Sequence, residues 1–212
     1  MEERHGSIMK TKNFEKELPS GYKQALYINA KDAKFGIIFN LIGTLIMAAV
    51  MAVAILPLAL NGKFSWDIFK AEPLTLLVAD LVMIASLFGY IVLHELVHGI
   101  AYKSLTGEKL TFGMSWSCAF CGVPHIYTYR KTALISVVAP FAVFSLILIP
   151  VMIALYSVST LYYLIAALVF AVHFGGCIGD LYVLYLILIR FKGKTLLMRD
   201  TGPEQYFYVW EK

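Results

Sequence analysis

Charge is scarce in this chain: only 15% of its 212 residues are Asp, Glu, Lys or Arg, while 59% are hydrophobic, and mean hydropathy is +0.73. These values exclude an ordinary soluble domain and fit a polytopic membrane protein of one compact domain. Cysteine is scarce too. Cys118, Cys121 and Cys177 form no even framework, and the first two fall in a loop assigned below to the reducing cytoplasm, so no disulfide is expected. No internal repeat is present, which counts against a transporter built from symmetric halves. The first thirty or so residues lack both an apolar core and a small-residue cleavage site, so no secretory signal is expected. The net charge of +4 sits in loops and tails and implies no nucleic-acid role.

What the chain has instead is long apolar runs. A helix needs about 20 residues to cross the hydrocarbon core of a bilayer, and four stretches reach that length: roughly 36–60, 74–102, 132–156 and 160–189. Lys and Arg cluster before the first stretch, between the second and third (Lys103, Lys109, Arg130, Lys131) and after the fourth (Arg190, Lys192, Lys194, Arg199). The opposite side has only Lys63 and Lys70. By the positive-inside rule both termini and the 103–131 loop are cytoplasmic, and a bacterial plasma membrane is the expected location.

The expected fold is therefore an all-α, four-span transmembrane bundle. It is divided into a cytoplasmic segment 1–35, a membrane domain 36–190 and a cytoplasmic tail 191–212. The loop "EKLTFGMSWSCAFCGVPHIYTYRK" alternates mildly and is rich in Gly, Ser and aromatics, which predicts a hairpin or a re-entrant segment. Pro140 and Pro150 predict a kink in the third span. The tail sequence "QYFYVW" fits a short strand or an interfacial anchor.

Within the second span lies "HELVH", placing His94, Glu95 and His98 in an apolar helix. Residues four apart share a helix face, so both imidazoles can reach one metal ion while Glu95 stands beside a water on it. Ionisable groups deep in a span are unfavourable by a few kcal/mol and usually mark function. The bland alternative is a polar cluster bonding neighbouring helices. A catalytic zinc takes a third protein ligand, and the candidates are His125, His173, Asp180 and the loop cysteines. At about 1.5 Å per residue, Asp180, ten residues before Arg190, matches the depth of His94 and His98, nine and five residues before Lys103. His173 sits about 10 Å further out. His173, His125 and Gly179 are read as lying behind the ligands or along a substrate path. Gly175 and Gly179 could admit a neighbouring helix or simply be ordinary packing. Cys118, Cys121 and His125 form a weaker C-x-x-C-x-x-x-H string.

The segments "LPSGYKQALYINA", "HELVHGIAYKSLTG", "VAPFAV", "GGCIGDLYVLYLI" and "RDTGPEQYFY" resemble the family of predicted zincin peptidases named domain of unknown function 3267. More distantly the chain is similar to the site-2 protease group of intramembrane zinc peptidases. That resemblance implies His94, His98 and Asp180 as ligands of one zinc ion and Glu95 as the catalytic carboxylate. The site-2 pattern usually has an upstream Asn-Pro and a following Gly at its Asp, whereas Asp180 lies between Gly179 and Leu181. The expected activity is a membrane-embedded zinc endopeptidase whose partners are a membrane protein or peptide substrate and the lipid bilayer. A non-catalytic metal-binding scaffold and a small-solute transporter are the alternatives.

Overall fold

The structure, a computed structural model, describes residues 12–115 and 118–211. Arg4, His5 and Lys10 lie outside the described residues, as do Trp116 and Ser117 of the loop. The apolar runs form four helices long and apolar enough to cross a membrane. They are α1 (Ala33–Leu60), α2 (Pro73–Thr106), α3 (Arg130–Val158) and α4 (Thr160–Gly176), the last continuing into α5 (Ile178–Tyr185) and a π-helical turn over Leu186–Arg190. Side chains such as Ile37, Leu41, Leu81, Phe88, Leu146 and Ile153 are more than half exposed on their outer faces. A surface so apolar is compatible with lipid contact and unfavourable in water.

Local chemistry sets the helix ends. Asp32 accepts a hydrogen bond from the Phe35 N–H at 3.0 Å, satisfying one of the orphan donors of the first turn of α1. Pro73 opens α2, where its missing N–H costs nothing. Gly107 closes α2 in the left-handed region at φ 72°, donating its N–H to the Lys103 carbonyl at 2.9 Å. With 34 residues, α2 is about 50 Å long, well beyond a bilayer core of about 30 Å. α3 continues as one helix through Pro140 and Pro150, and the fourth span is divided at Cys177. Beyond it, the Arg130 guanidinium donates to the carbonyls of Ile187, Phe191 and Lys194, supplying partners for the last carbonyls of the π turn and its exit.

The all-α expectation is corrected by two β-sheets. A hairpin pairs β3 (Thr111–Met114) with β4 (Ala119–Gly122), in the loop where the alternation predicts one. A larger antiparallel sheet joins β1 (Phe14–Glu15), β2 (Tyr22–Asn29), β5 (Tyr127–Tyr129), β6 (Leu196–Asp200) and β7 (Glu204–Trp210) in the order β1-β5-β6-β7-β2. Its strands come from both polar ends of the chain and from the loop, so no single window of sequence displays it. Strand preference in such segments is decided by cross-strand packing and burial. One face of the sheet buries Ile28, Leu196, Met198, Phe207 and Val209 against Ala133, Val137, Val183 and Ile187 of the helices. The terminal segments are thus one layer packed on the end of the bundle.

Two contacts hold the layers in register. Gly43 of α1 and Gly175 of α4 meet backbone to backbone, and a Cβ on Gly175 would strike the Gly43 carbonyl and Met47. Below, the Asp200 carboxylate accepts from the Tyr102 hydroxyl and from the Gly202 N–H, each at 2.8 Å, while the Asp200 carbonyl accepts from the Val123 N–H at 2.8 Å. This ties the end of α2, the hairpin and β6 to one buried residue.

Two outcomes are expected. Gly175→Val should force α1 off α4 and cost about 1–3 kcal/mol, read as an earlier melting transition of the detergent-purified chain. Burial raises the Asp200 carboxyl to about 6 from its usual 3.8. The folded state therefore keeps this proton between about pH 4 and 6 while the unfolded state releases it, so stability falls as pH rises through that window. The change amounts to about 3 kcal/mol. Asp200→Asn should flatten that fall, which melting curves of both proteins between pH 4 and 7 will check.

Candidate metal centre

His94, Glu95 and His98 all stand on α2, toward its C-terminal end. His94 and His98 are one turn apart, their ring centroids separated by 5.0 Å with ring planes at 77°. Asp180 reaches them from the first turn of α5, just after the break at Cys177. His94 Nε2 lies 3.2 Å from Asp180 Oδ2, and His98 Nε2 lies 3.3 Å from Asp180 Oδ1. Both histidines are buried and Asp180 is partly so. One ligand atom from each of the three lies within 4.8 Å of the others.

The hydrogen bonds around the rings decide what this triad can hold. His98 Nδ1 is 2.8 Å from the Ser136 backbone carbonyl, which can only accept, so Nδ1 carries the proton. Neutral His98 then turns an unprotonated Nε2 toward a carboxylate that also only accepts. Two acceptors held 3.3 Å apart in a buried site need a cation or a proton between them. Two imidazole nitrogens and a carboxylate oxygen are the donor types of a catalytic zinc site that leaves a fourth position open. The residues fit the ion that the sequence pattern implies.

Glu95, next to His94 in sequence, faces the Cys121 backbone of β4. Two cavities meet at this carboxylate. A cleft of about 360 Å³ runs along α1, bordered by Asn40, Thr44, Gly175, Gly176, Gly179 and Ala119 together with His94 and Glu95. A second cavity, of about 150 Å³, reaches Glu95, His98 and Asp180 from the sheet side, past Asp200 and Gln205. The absence of side chains at the three glycines keeps the wall of the cleft low, while Gly175 also makes the close approach to α1.

The remaining sequence candidates fall elsewhere. His125 is exposed in the turn before β5, away from the triad. Cys118, Cys121 and His125 do not converge: among the described residues, the groups able to offer three ligand atoms are His94 with His98 and Asp180, and His94 with His173 and Cys177. Burial pushes the Cys121 thiol up to about 12, with the nearby Asp200 and Glu95 charges adding to it, so it stays a neutral, poor metal donor. His173 is fully buried and borders neither cavity; it contacts Tyr90, which in turn contacts His94. Tyr90 and Asn40 are absent from the sequence candidates. Tyr90 stands one turn before His94 on the same face, and Asn40 is a polar amide in an otherwise apolar span, and those were the available signals.

Comparison with known proteins adds one finding. No curated protein and no solved structure matches the chain. The family model described as "Putative zincin peptidase", domain of unknown function 3267, matches residues 87–195, just over half of the chain, from the turn before Tyr90 to the start of β6. That interval holds the whole triad and Glu95, and the chain belongs to this zincin peptidase family.

Proposed function

We propose that this protein is a membrane-embedded, zinc-dependent endopeptidase that hydrolyses peptide bonds of membrane or membrane-associated proteins, with its site toward the cytoplasmic side. The observation that carries this reading is the convergence of His94 Nε2, His98 Nε2 and the Asp180 carboxylate beside Glu95 within an apolar bundle. Family membership supports the peptidase chemistry, and four membrane-length helices support the setting. Zinc, when bound, supplies Lewis acidity that lowers the pKa of a water to about 7 and polarises a carbonyl.

The chain's own residues would do the rest. Glu95 takes the proton of the attacking water on its carboxylate and returns it to the leaving amine, the general acid–base role open to a carboxylate at hydrogen-bonding distance. His94, His98 and Asp180 hold the ion, and the Ser136 carbonyl fixes His98 in the required orientation. The sheet-side cavity gives water a path to Glu95 without crossing the apolar faces of the helices. The cleft along α1 gives the substrate a second path, from the side.

A helical substrate must unwind before cleavage, because its carbonyls are hydrogen-bonded within the helix. β4 pairs with β3 along one side, and Ala119 borders both cavities with Glu95. An unwound segment entering the cleft would therefore meet extended backbone, the usual means by which a strand edge captures a peptide.

Glu95→Gln separates this reading from a metal-binding scaffold. The variant should retain one zinc per chain and lose peptide release by at least about 100-fold, measured by elemental analysis and by fragment appearance from a membrane-anchored reporter in proteoliposomes. Full activity in Glu95→Gln, with loss in His94→Ala, would favour the scaffold.

A further inference from the structure

Behind His94, on the side away from Asp180, lies a polar chain that the catalytic account does not use. The Tyr90 hydroxyl is 3.0 Å from His94 Nδ1 and 3.1 Å from His173 Nδ1. His173 Nε2 is 3.1 Å from the Ser145 hydroxyl. The Cys177 thiol stands beside the chain, 3.6 Å from His173 Nδ1 and 3.9 Å from the Tyr90 hydroxyl. Tyr90, His173 and Cys177 are all buried, and Phe141 and Phe144 pack on the rings, so these polar atoms depend on one another and on the Phe141 backbone, which also hydrogen-bonds His173.

A hydroxyl has one proton. Between two imidazole nitrogens, Tyr90 can therefore donate to only one of them, and the weak sulfur acceptor of Cys177 at 3.9 Å is the alternative destination for its proton. If it donates to His94 Nδ1, the proton of neutral His94 sits on Nε2 and points at Asp180, and His94 is a hydrogen-bond donor with no lone pair for a metal. If it donates to His173, His94 must donate its own Nδ1–H to the Tyr90 oxygen, and Nε2 is open. His98 needs no such device, because the Ser136 carbonyl can only accept. Tyr90 can act either way, and an acceptor at His173 decides the direction.

We propose that Tyr90 and His173 are positioning residues that hold His94 in the tautomer able to bind the metal ion, with His173 accepting the Tyr90 proton and passing its own Nε2–H to Ser145. Every group in this arrangement is neutral. The inference rests on the metal site proposed above and explains why a histidine with no access to either cavity is completely buried beside it. Groups that orient a ligating histidine through its other nitrogen typically change metal affinity by 10- to 100-fold.

The test is zinc affinity of the full-length chain in detergent, measured by competition with a chromophoric chelator, alongside the melting temperature of the metal-free proteins. Tyr90→Phe keeps the ring packing and should weaken zinc about 10- to 100-fold with little change in melting. His173→Leu should weaken it at least as much, because the Tyr90 hydroxyl is then free to donate to His94. His173→Gln, whose amide oxygen can accept from Tyr90, should restore affinity to within a few-fold of the unaltered chain. The Tyr90→Phe/His173→Leu pair should be no weaker than the worse single variant, since both break one chain of bonds. Unchanged zinc affinity in both single variants, or a loss that only tracks a fall in melting temperature, overturns the inference. So does a second zinc equivalent abolished by Cys177→Ala, which would make His94, His173 and Cys177 a metal site of their own. Failure of the unaltered chain to bind zinc overturns the metal site itself and this inference with it, whereas unaltered binding in the variants overturns this inference alone.

Discussion

A carboxylate facing two imidazole nitrogens inside an apolar bundle is the constraint on which this structure turns. His98 presents an acceptor to Asp180 because a backbone carbonyl has already taken its proton. Left without a cation, the arrangement places acceptor against acceptor where water is scarce, a cost of the kind that folded proteins rarely carry. With one, the lone pairs and the carboxylate charge have a shared partner. Tolerance of these groups in the bundle and their ability to bind metal are thus the same property.

Much of the fold can be understood as support for that arrangement. α2 is long enough to carry the histidines within the bundle and Tyr102 at its far end, where Asp200 locks it to the sheet. The break at Cys177 ends α4 and starts α5, so that Asp180 stands in a first turn facing the two histidines of α2. Gly43 and Gly175 draw α1 onto α4, while Gly176 and Gly179 leave the cleft open beside the site. The hairpin rests on α2 at Gly99, where a Cβ would meet Phe112 and Leu110, and so brings β4 to the side of Glu95.

The sequence made some of this legible and hid the rest, for physical reasons. Hydropathy located all four long helices to within a few residues, because apolar length is a local property that a window can read. Depth along the second and fourth spans, which run in the same direction, pointed to Asp180, and the structure brings its carboxylate within 3.3 Å of both rings. The five-stranded sheet was not legible: β2 pairs with β7 across nearly the whole chain, and neither strand's pattern shows that partnership. The run "YKQALYIN" reads as a polar tail until β7 covers it. Tyr90 was also hidden. A tyrosine in an apolar helix is unremarkable in sequence, and its meaning comes from His173, 83 residues away, meeting the same hydroxyl. His125, which spacing alone joins to two cysteines in a weak pattern, is exposed in its turn.

Peptidase chemistry at this site depends on one metal ion held by His94, His98 and Asp180. X-ray absorption at the zinc edge on the purified full-length chain addresses it most directly, because nitrogen or oxygen donors lie at about 2.0–2.2 Å and sulfur at about 2.3 Å. One zinc per chain is expected, with a shell of light atoms that includes two imidazoles and no sulfur. A sulfur scatterer, which would place the ion at His94, His173 and Cys177, or a chain that binds no zinc, would contradict it.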